Sequence, residues 1–198
     1  MSLLPAEYFD LLPDQEGCLN EGGGFLERMS ACNGNSAPVQ NGVCQLGDIA
    51  LGKNQNLGSE ILVAVCAVRS HALYFNDGNM EKESFDRGSE DYAFIKGEAD
   101  NWKQGYSYGP EFLLWLPSHK TFATAHFTRT ARLNGVRLGQ KYLKNVATLW
   151  VEKRKRKKGN INYYIFNCRD ADSDLEELEP VSVDRLKDAV KMFVAPLS

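Results

Sequence analysis

Apolar residues are spaced unevenly along the chain, and each spacing points to a different element. Glu60-Ile-Leu-Val-Ala-Val-Cys-Ala-Val-Arg69 is an almost unbroken, β-branched apolar run. It is too short for a helix and predicts a central buried strand. His71 to Phe75 reads as a second, shorter strand, with His71 a structural histidine, and residues 43–51 as a strand weakened at Gly47. The acidic stretch from Met80 to Glu90 reads as an exposed loop, and Asp91 to Lys96 as a short strand. Phe112-Leu-Leu-Trp-Leu-Pro117 is a strand stopped by proline.

Phe122 to Leu133 is ambiguous. Its threonines favour a strand and its alanines permit a helix, and the reading leans to helix. Asn134-Gly135 follows as a turn. Lys144 to Lys153 alternates well, and Asn160 to Cys168 is its return partner, so the two predict a long hairpin. Ser182 to Val194 places Val183, Leu186, Val190 and Phe193 on one helical face, with Ser182 as the N-cap. Residues 1–40 are broken by Pro and Gly and read as an arm or lead-in, with a short helical turn at Phe25 to Met29. These parts add up to a β-rich α+β fold: an OB-like barrel with long loops and a C-terminal helix. Residues 41–170 would form the core, and 171–198 an acidic segment plus the helix packed on it.

Charge changes the picture. From Lys120 to Lys158 twelve Lys or Arg face one acid, Glu152, giving +11. The remainder holds eleven bases and twenty-five acids, or −14, so the net charge of −3 conceals a polarised molecule. A concentrated positive field attracts a polyanion, and exposed rings beside it offer surfaces on which bases stack. The candidate rings are Trp102, Tyr106, Tyr108 and Phe127. The candidate cations are Arg129, Arg132, Arg137, Lys141 and Lys144, then the hairpin residues Lys153, Arg154, Lys155 and Arg156. Trp115 and Trp150 lie inside apolar runs and read as buried. Against this stands a plainer reading, in which the Lys153–Lys158 run is only a solvated loop or an import signal. The bias begins some thirty residues earlier, in patterned sequence, and this favours binding.

Cys18, Cys32, Cys44, Cys66 and Cys168 are widely spaced, contain no Cys-x-x-Cys pair and read as reduced thiols in the cytoplasm. Cys66 reads as core. A metal site built from Cys18, Cys32 and Cys44 is an alternative. No membrane span and no signal peptide are recognisable.

Pro110-Glu-Phe-Leu-Leu-Trp-Leu-Pro117, Lys120-Thr-Phe-Ala-Thr124, the hairpin Val146 to Phe166 and the acidic, leucine-bearing segment before a C-terminal helix follow one another in order. In this layout the chain, over roughly residues 60–195, resembles phage single-stranded DNA-binding proteins. The resemblance implies an OB-like fold and a role with single strands in DNA replication or recombination, alongside replication or recombination proteins. Some relatives hold zinc on cysteines before the Pro-Glu-Phe strand. Residues 76–110 here contain no cysteine, so no metal or other cofactor carries over.

No Walker loop and no Gly-x-Ser-x-Gly occurs, and the chain reads as non-enzymatic. The alternatives are a virion, assembly or protein-interaction module, and a metal-dependent nuclease using acids such as Asp77, Glu81, Glu83, Asp86, Glu90 and Asp91. The acidic segment 170–179 reads as a solvated linker or as a mimic that folds back on the basic groove. The expectation is a weakly selective single-stranded DNA binder, with RNA left open.

Overall fold

The chain's long apolar strand is longer than its pattern suggested, and the rest of the sheet is arranged on its two edges. The structure, a computed structural model, describes residues 26–76, 79–155, 162–171 and 180–194. In chain order the elements are β1 (Glu27–Ala31), α1 (Ala37–Gln40), β2 (Ile49–Leu51), β3 (Gln55–Asn56), β4 (Glu60–Asn76), β5 (Asn79–Ser84), α2 (Glu90–Asp100) and β6 (Tyr106–Leu116). Then come β7 (Thr121–His126), α3 (Arg132–Tyr142), β8 (Val146–Lys155), β9 (Asn162–Arg169) and α4 (Val183–Val194).

The strand order is β3-β2-β1-β7-β6-β4-β8-β9. The pairings are antiparallel except β1 with β7, which is parallel. One edge of β4 pairs with β6 from Ala64 to Tyr74. Its other edge is shared: β8 takes Glu60 to Ala64, and β5 takes Ala72 to Asn76.

Burial explains why β4 reads as an unbroken apolar run. Ile61, Val63 and Val65 face one core, together with Met29, Phe112, Leu114, Phe127, Leu138, Leu149 and Phe166. Ala64 and Cys66 face a second core on the opposite side, beneath α4. A strand covered on both faces loses the alternation of a half-buried one. Leu186, Ala189, Val190 and Phe193 of α4 pack there against Leu113 and Trp115. Burying side chains of this size is worth about 1.5–3 kcal/mol each, and the 3.6-residue spacing of the helix exists to collect that energy. The Ser182 carbonyl accepts the Leu186 N–H, so it closes the first turn as expected of an N-cap.

One side chain bridges β9, at one end of the sheet, to the residue just past β1, the third strand from the other end. The Asn33 amide, just past β1, donates to the Tyr164 carbonyl of β9 at 3.1 Å, and its oxygen accepts the Tyr164 N–H at 2.8 Å. No backbone ladder joins β1 to β9, so the sheet is open at that seam.

Several expectations are corrected. Asp91 to Lys96 is not a strand but part of α2. Ser89 accepts the Tyr92 N–H at 3.1 Å, and Glu90 and Asp91 occupy the first turn, so the cap and dipole signals outrank the apparent alternation. Within the supposed loop, Asn79 to Ser84 is β5, an exposed strand whose partner is the far end of β4. His71 to Phe75 continues β4 rather than starting a strand. Of residues 43–51 only Ile49–Leu51 is strand. Glu27–Ala31, within the stretch expected to be a lead-in, forms β1 between β7 and β2 and is not helical.

The leaning to helix over Phe122 to Leu133 is overturned. Thr121–His126 is β7, paired along β6, and the helix starts only at Arg132. Asn134-Gly135 lies inside that helix, not in a turn. Gly135 is needed because α3 crosses tightly: a Cβ there would lie 2.5 Å from the Phe127 Cβ and 2.7 Å from Pro110 Cγ. The hairpin of β8 and β9 is as expected, paired from Thr148–Arg169 to Lys155–Asn162. Trp115 and Cys66 are buried, while Trp150 is only half-buried.

Candidate nucleic-acid interface

The open seam between β1 and β9 leaves a cleft of about 1080 Å³. One side is β1 with Arg28, Ser30 and Asn33. A second is the turn after β7, with Thr128, Arg129 and Thr130. The third is the hairpin, with Arg154 and Lys155 on β8 and Tyr163 and Tyr164 on β9. Met29, Ile165 and Phe166 belong to the core behind it. Trp102 also lines the cleft. Arg28, Arg129, Arg154 and Lys155 are exposed, and no Asp or Glu is among the described residues that line it.

Trp102 is 74% exposed, the opposite of what a large ring does when left to the hydrophobic effect. It follows the last residue of α2's cap, with φ of +59°, and its N–H donates to the Ala99 carbonyl at 3.0 Å. Arg129 also has a positive φ, +49°, and its guanidinium donates to the Tyr106 carbonyl at 3.3 Å. A left-handed backbone costs an L-residue about 1–2 kcal/mol. Two such residues at one cleft fit the general tendency of strain to gather where side chains must be presented. Arg154 is held by a fork to Glu152, with contacts of 2.8 and 2.9 Å, and Glu152 is in turn bound by Asn167.

The remaining expected residues divide sharply. Phe127 is fully buried, packed against Phe112 and Phe166 at 5.5 and 5.6 Å, and offers no face to a base. Tyr106 is buried and stacks on Tyr74 at 4.0 Å. Both fail as stacking platforms because the sheet's own packing uses their rings. Tyr108 is half-buried. Its hydroxyl donates to Asp100 at 2.7 Å, and Arg132 lies 4.4 Å from its ring centre. Burial and that carboxylate push the Tyr108 phenol above its usual pKa.

Arg132 pairs with Asp100 and so serves Tyr108, not the cleft. Arg137 and Lys141 stand on the outward side of α3, where Lys141 pairs with Asp170 at 2.8 Å. Lys144 sits in the turn into β8 with φ of +63°. Lys153 is exposed on β8 opposite Tyr164. Arg156, the rest of the hairpin tip and residues 172–179 lie outside the described residues, as does Cys18. The single basic stretch is therefore split in space into a cleft group and an α3 group.

Sequence reasoning missed Arg28, Tyr163 and Tyr164. Arg28 is the only base in the first 52 residues, a signal hidden by the reading of that stretch as an arm. The tyrosines face Arg154 and Lys153 in the hairpin register, which correct pairing would have supplied.

Beside the cleft lies a buried charge network. Arg69 contacts Glu111 at 2.7 Å, and His71 bridges Glu83 at 2.6 Å and Glu111 at 3.1 Å. Arg69 also donates to the Phe193 carbonyl of α4 and lies over Phe85. Burial disfavours the His71 cation, but the two carboxylates outweigh it and raise its pKa. Burial likewise opposes the Glu111 anion, yet His71 and Arg69 bring it down to about 2. His126 stacks on His71 at 4.4 Å. Burial and the neighbouring cations His71 and Arg28 lower it to about 3, so it is neutral at pH 7.

Among the described residues no group of three or more His, Cys, Asp or Glu is placed to hold a metal ion. Cys32 and Cys44 are buried in one small cluster with Ala50. Burial, with Cys44 beside it, pushes the Cys32 thiol up to about 12. Of the acids considered for metal chemistry, Glu83 is taken by His71 and Asp91 by Lys82. No helix among the described residues is long and apolar enough to cross a membrane. Comparison with protein-family models, with characterised proteins and with solved structures finds no match to this chain.

Proposed function

We propose that this chain binds single-stranded DNA in the cleft, with little sequence selectivity, on an OB-like curled sheet. The observation that carries the reading is a cleft whose described residues include four cations and no carboxylate, with an exposed tryptophan held at it. Cations displace condensed counterions from the phosphates, and rings stack on bases whatever their identity. Trp102 supplies the exposed ring, with the half-buried Tyr163 and Tyr164 beside it; Arg28, Arg129, Arg154 and Lys155 supply the charge. The role proposed is binding, without a catalytic step. The resemblance of its layout to phage single-stranded DNA-binding proteins supports a role in replication or recombination.

Trp102 gives the direct test. Tryptophan fluorescence should fall as oligo(dT) is added, more for longer strands. Trp102→Ala should abolish most of the quenching and cost about 1–3 kcal/mol of affinity, the usual worth of one stacked base. Equal affinity for duplex and single strand, or quenching that survives Trp102→Ala, contradicts the reading.

A further inference from the structure

Away from the cleft, α3 turns to solvent a face that its own packing does not explain. Gly135, Leu138 and Tyr142 are its buried side. Opposite them Leu133 is 77% exposed, Val136 44%, and Leu143, just past the helix, 37%. Leu133 and Val136 are one turn apart, and Leu143 lies two turns beyond Val136, so the three form one stripe. Arg137 and Lys141 follow Leu133 at successive steps of four, both exposed. Every charged residue of α3 is a base. An ordinary solvent-facing helix side is polar all round, without such a stripe.

An acid is already seated at one end. Asp170, just past β9, lies 2.8 Å from the Lys141 ammonium and accepts the Tyr142 hydroxyl at 2.9 Å. The face thus combines apolar side chains, free of cover among the described residues, with cations that hold a carboxylate.

We propose that this face docks an acidic, amphipathic segment of a partner protein. Apolar residues three or four apart would cover Leu133, Val136 and Leu143, and carboxylates would meet Arg137 and Lys141, as helices dock by anchors at such spacing. Charge selects this occupant. A second copy related by a two-fold axis would bring Arg137 and Lys141 against their like, a costly juxtaposition. A nucleic-acid backbone would use the cations but not the leucine and valine. The cleft and this face divide the basic stretch between two partners, one a nucleic acid and the other a protein.

The test uses the full chain and a labelled peptide with Leu at i, i+3 and i+7 and Glu at the flanking positions, followed by fluorescence anisotropy. The wild type should bind it. Leu133→Ser with Val136→Ser should weaken binding about tenfold, the size expected for losing one well-buried aliphatic contact. Arg137→Gln should weaken it severalfold and flatten its salt dependence. All three positions are exposed, so the variants keep the fold, and both proteins should bind oligo(dT) as wild type does. Absence of peptide binding overturns the proposal, as does equal binding by the Leu133/Val136 variant, which would reduce the effect to charge alone. Tighter peptide binding after Leu175→Ser with Leu178→Ser would show that the chain covers its own face, and would overturn docking by a partner. Loss of oligo(dT) binding in the Leu133/Val136 variant would merge the two surfaces and end the separation on which the proposal stands.

Discussion

Neutralising Arg129 is the sharpest probe of the cleft. Four exposed cations line it. For a single strand, log K falls against log salt with a slope of about −0.7 per phosphate neutralised, so four contacts give about −3. Between 50 and 200 mM salt the wild type should then lose about 50-fold in affinity. Arg129→Gln removes one contact, so its slope should be near −2 and its loss about 20-fold over the same range. The change is local, since Arg129 is exposed and its guanidinium reaches no further than the Tyr106 carbonyl among the described residues' hydrogen bonds. Arg154 is a poorer probe, because Glu152 already holds it and a strand must share that charge. The assay is anisotropy of labelled oligo(dT) at several salt concentrations, with Arg137→Gln on α3 as the control that should keep the wild-type slope. An unchanged slope in Arg129→Gln, or an equal drop in Arg137→Gln, would refute the placement of the strand.

Two further outcomes follow from burial. Phe127→Ala should cost about 3–5 kcal/mol, because it opens a cavity among Phe112, Phe166 and Gly135, while the affinity of the folded fraction stays the same; thermal melting and stoichiometric oligo(dT) titration check this. The two stacked histidines should shape stability in opposite senses. His71 has a raised folded pKa, so its contribution is complete below about 6.5 and lost as pH rises through the folded value. His126 is depressed to about 3, so the unfolded chain takes up its proton first, and stability falls as pH drops from about 6.5 toward 3. Glu111, depressed to about 2, adds to the loss below about 4.5. Denaturant midpoints measured across pH should therefore flatten on the alkaline side in His71→Asn and on the acid side in His126→Asn.

The hairpin and the terminal helix were legible because each has a single strong period and one face to bury. β4 was half legible: its apolar run showed burial on both faces but not that the strand continues through His71, where polar residues enter the charge network with Glu83 and Glu111. α2 was misread because Tyr92 and Phe94 alternate by chance, while the informative residues were Ser89, Glu90 and Asp91 at the helix start. β5 carries no apolar signature, since it exists only by pairing with β4 and is exposed along most of its length. The candidate site shows the same limit. Local composition located the cations and rings, but whether a ring is offered or consumed is a tertiary matter. Trp102 and Phe127 are both aromatic residues close to basic ones in sequence; a left-handed turn exposes the first, and the core takes the second. Arg28 and the Tyr163–Tyr164 pair reach the cleft only through the parallel β1–β7 pairing and the β8–β9 register, long-range facts that no local window contains.

The most direct measurement is photo-crosslinking of the full chain to oligo(dT) carrying 4-thiothymine, with the attached peptides mapped by mass spectrometry. Crosslinks are expected at Trp102, Tyr163 or Tyr164, diminished by excess unlabelled single strand and not by duplex. Crosslinks confined to α3 around Leu133 to Lys141, or equal competition by duplex, would contradict that expectation.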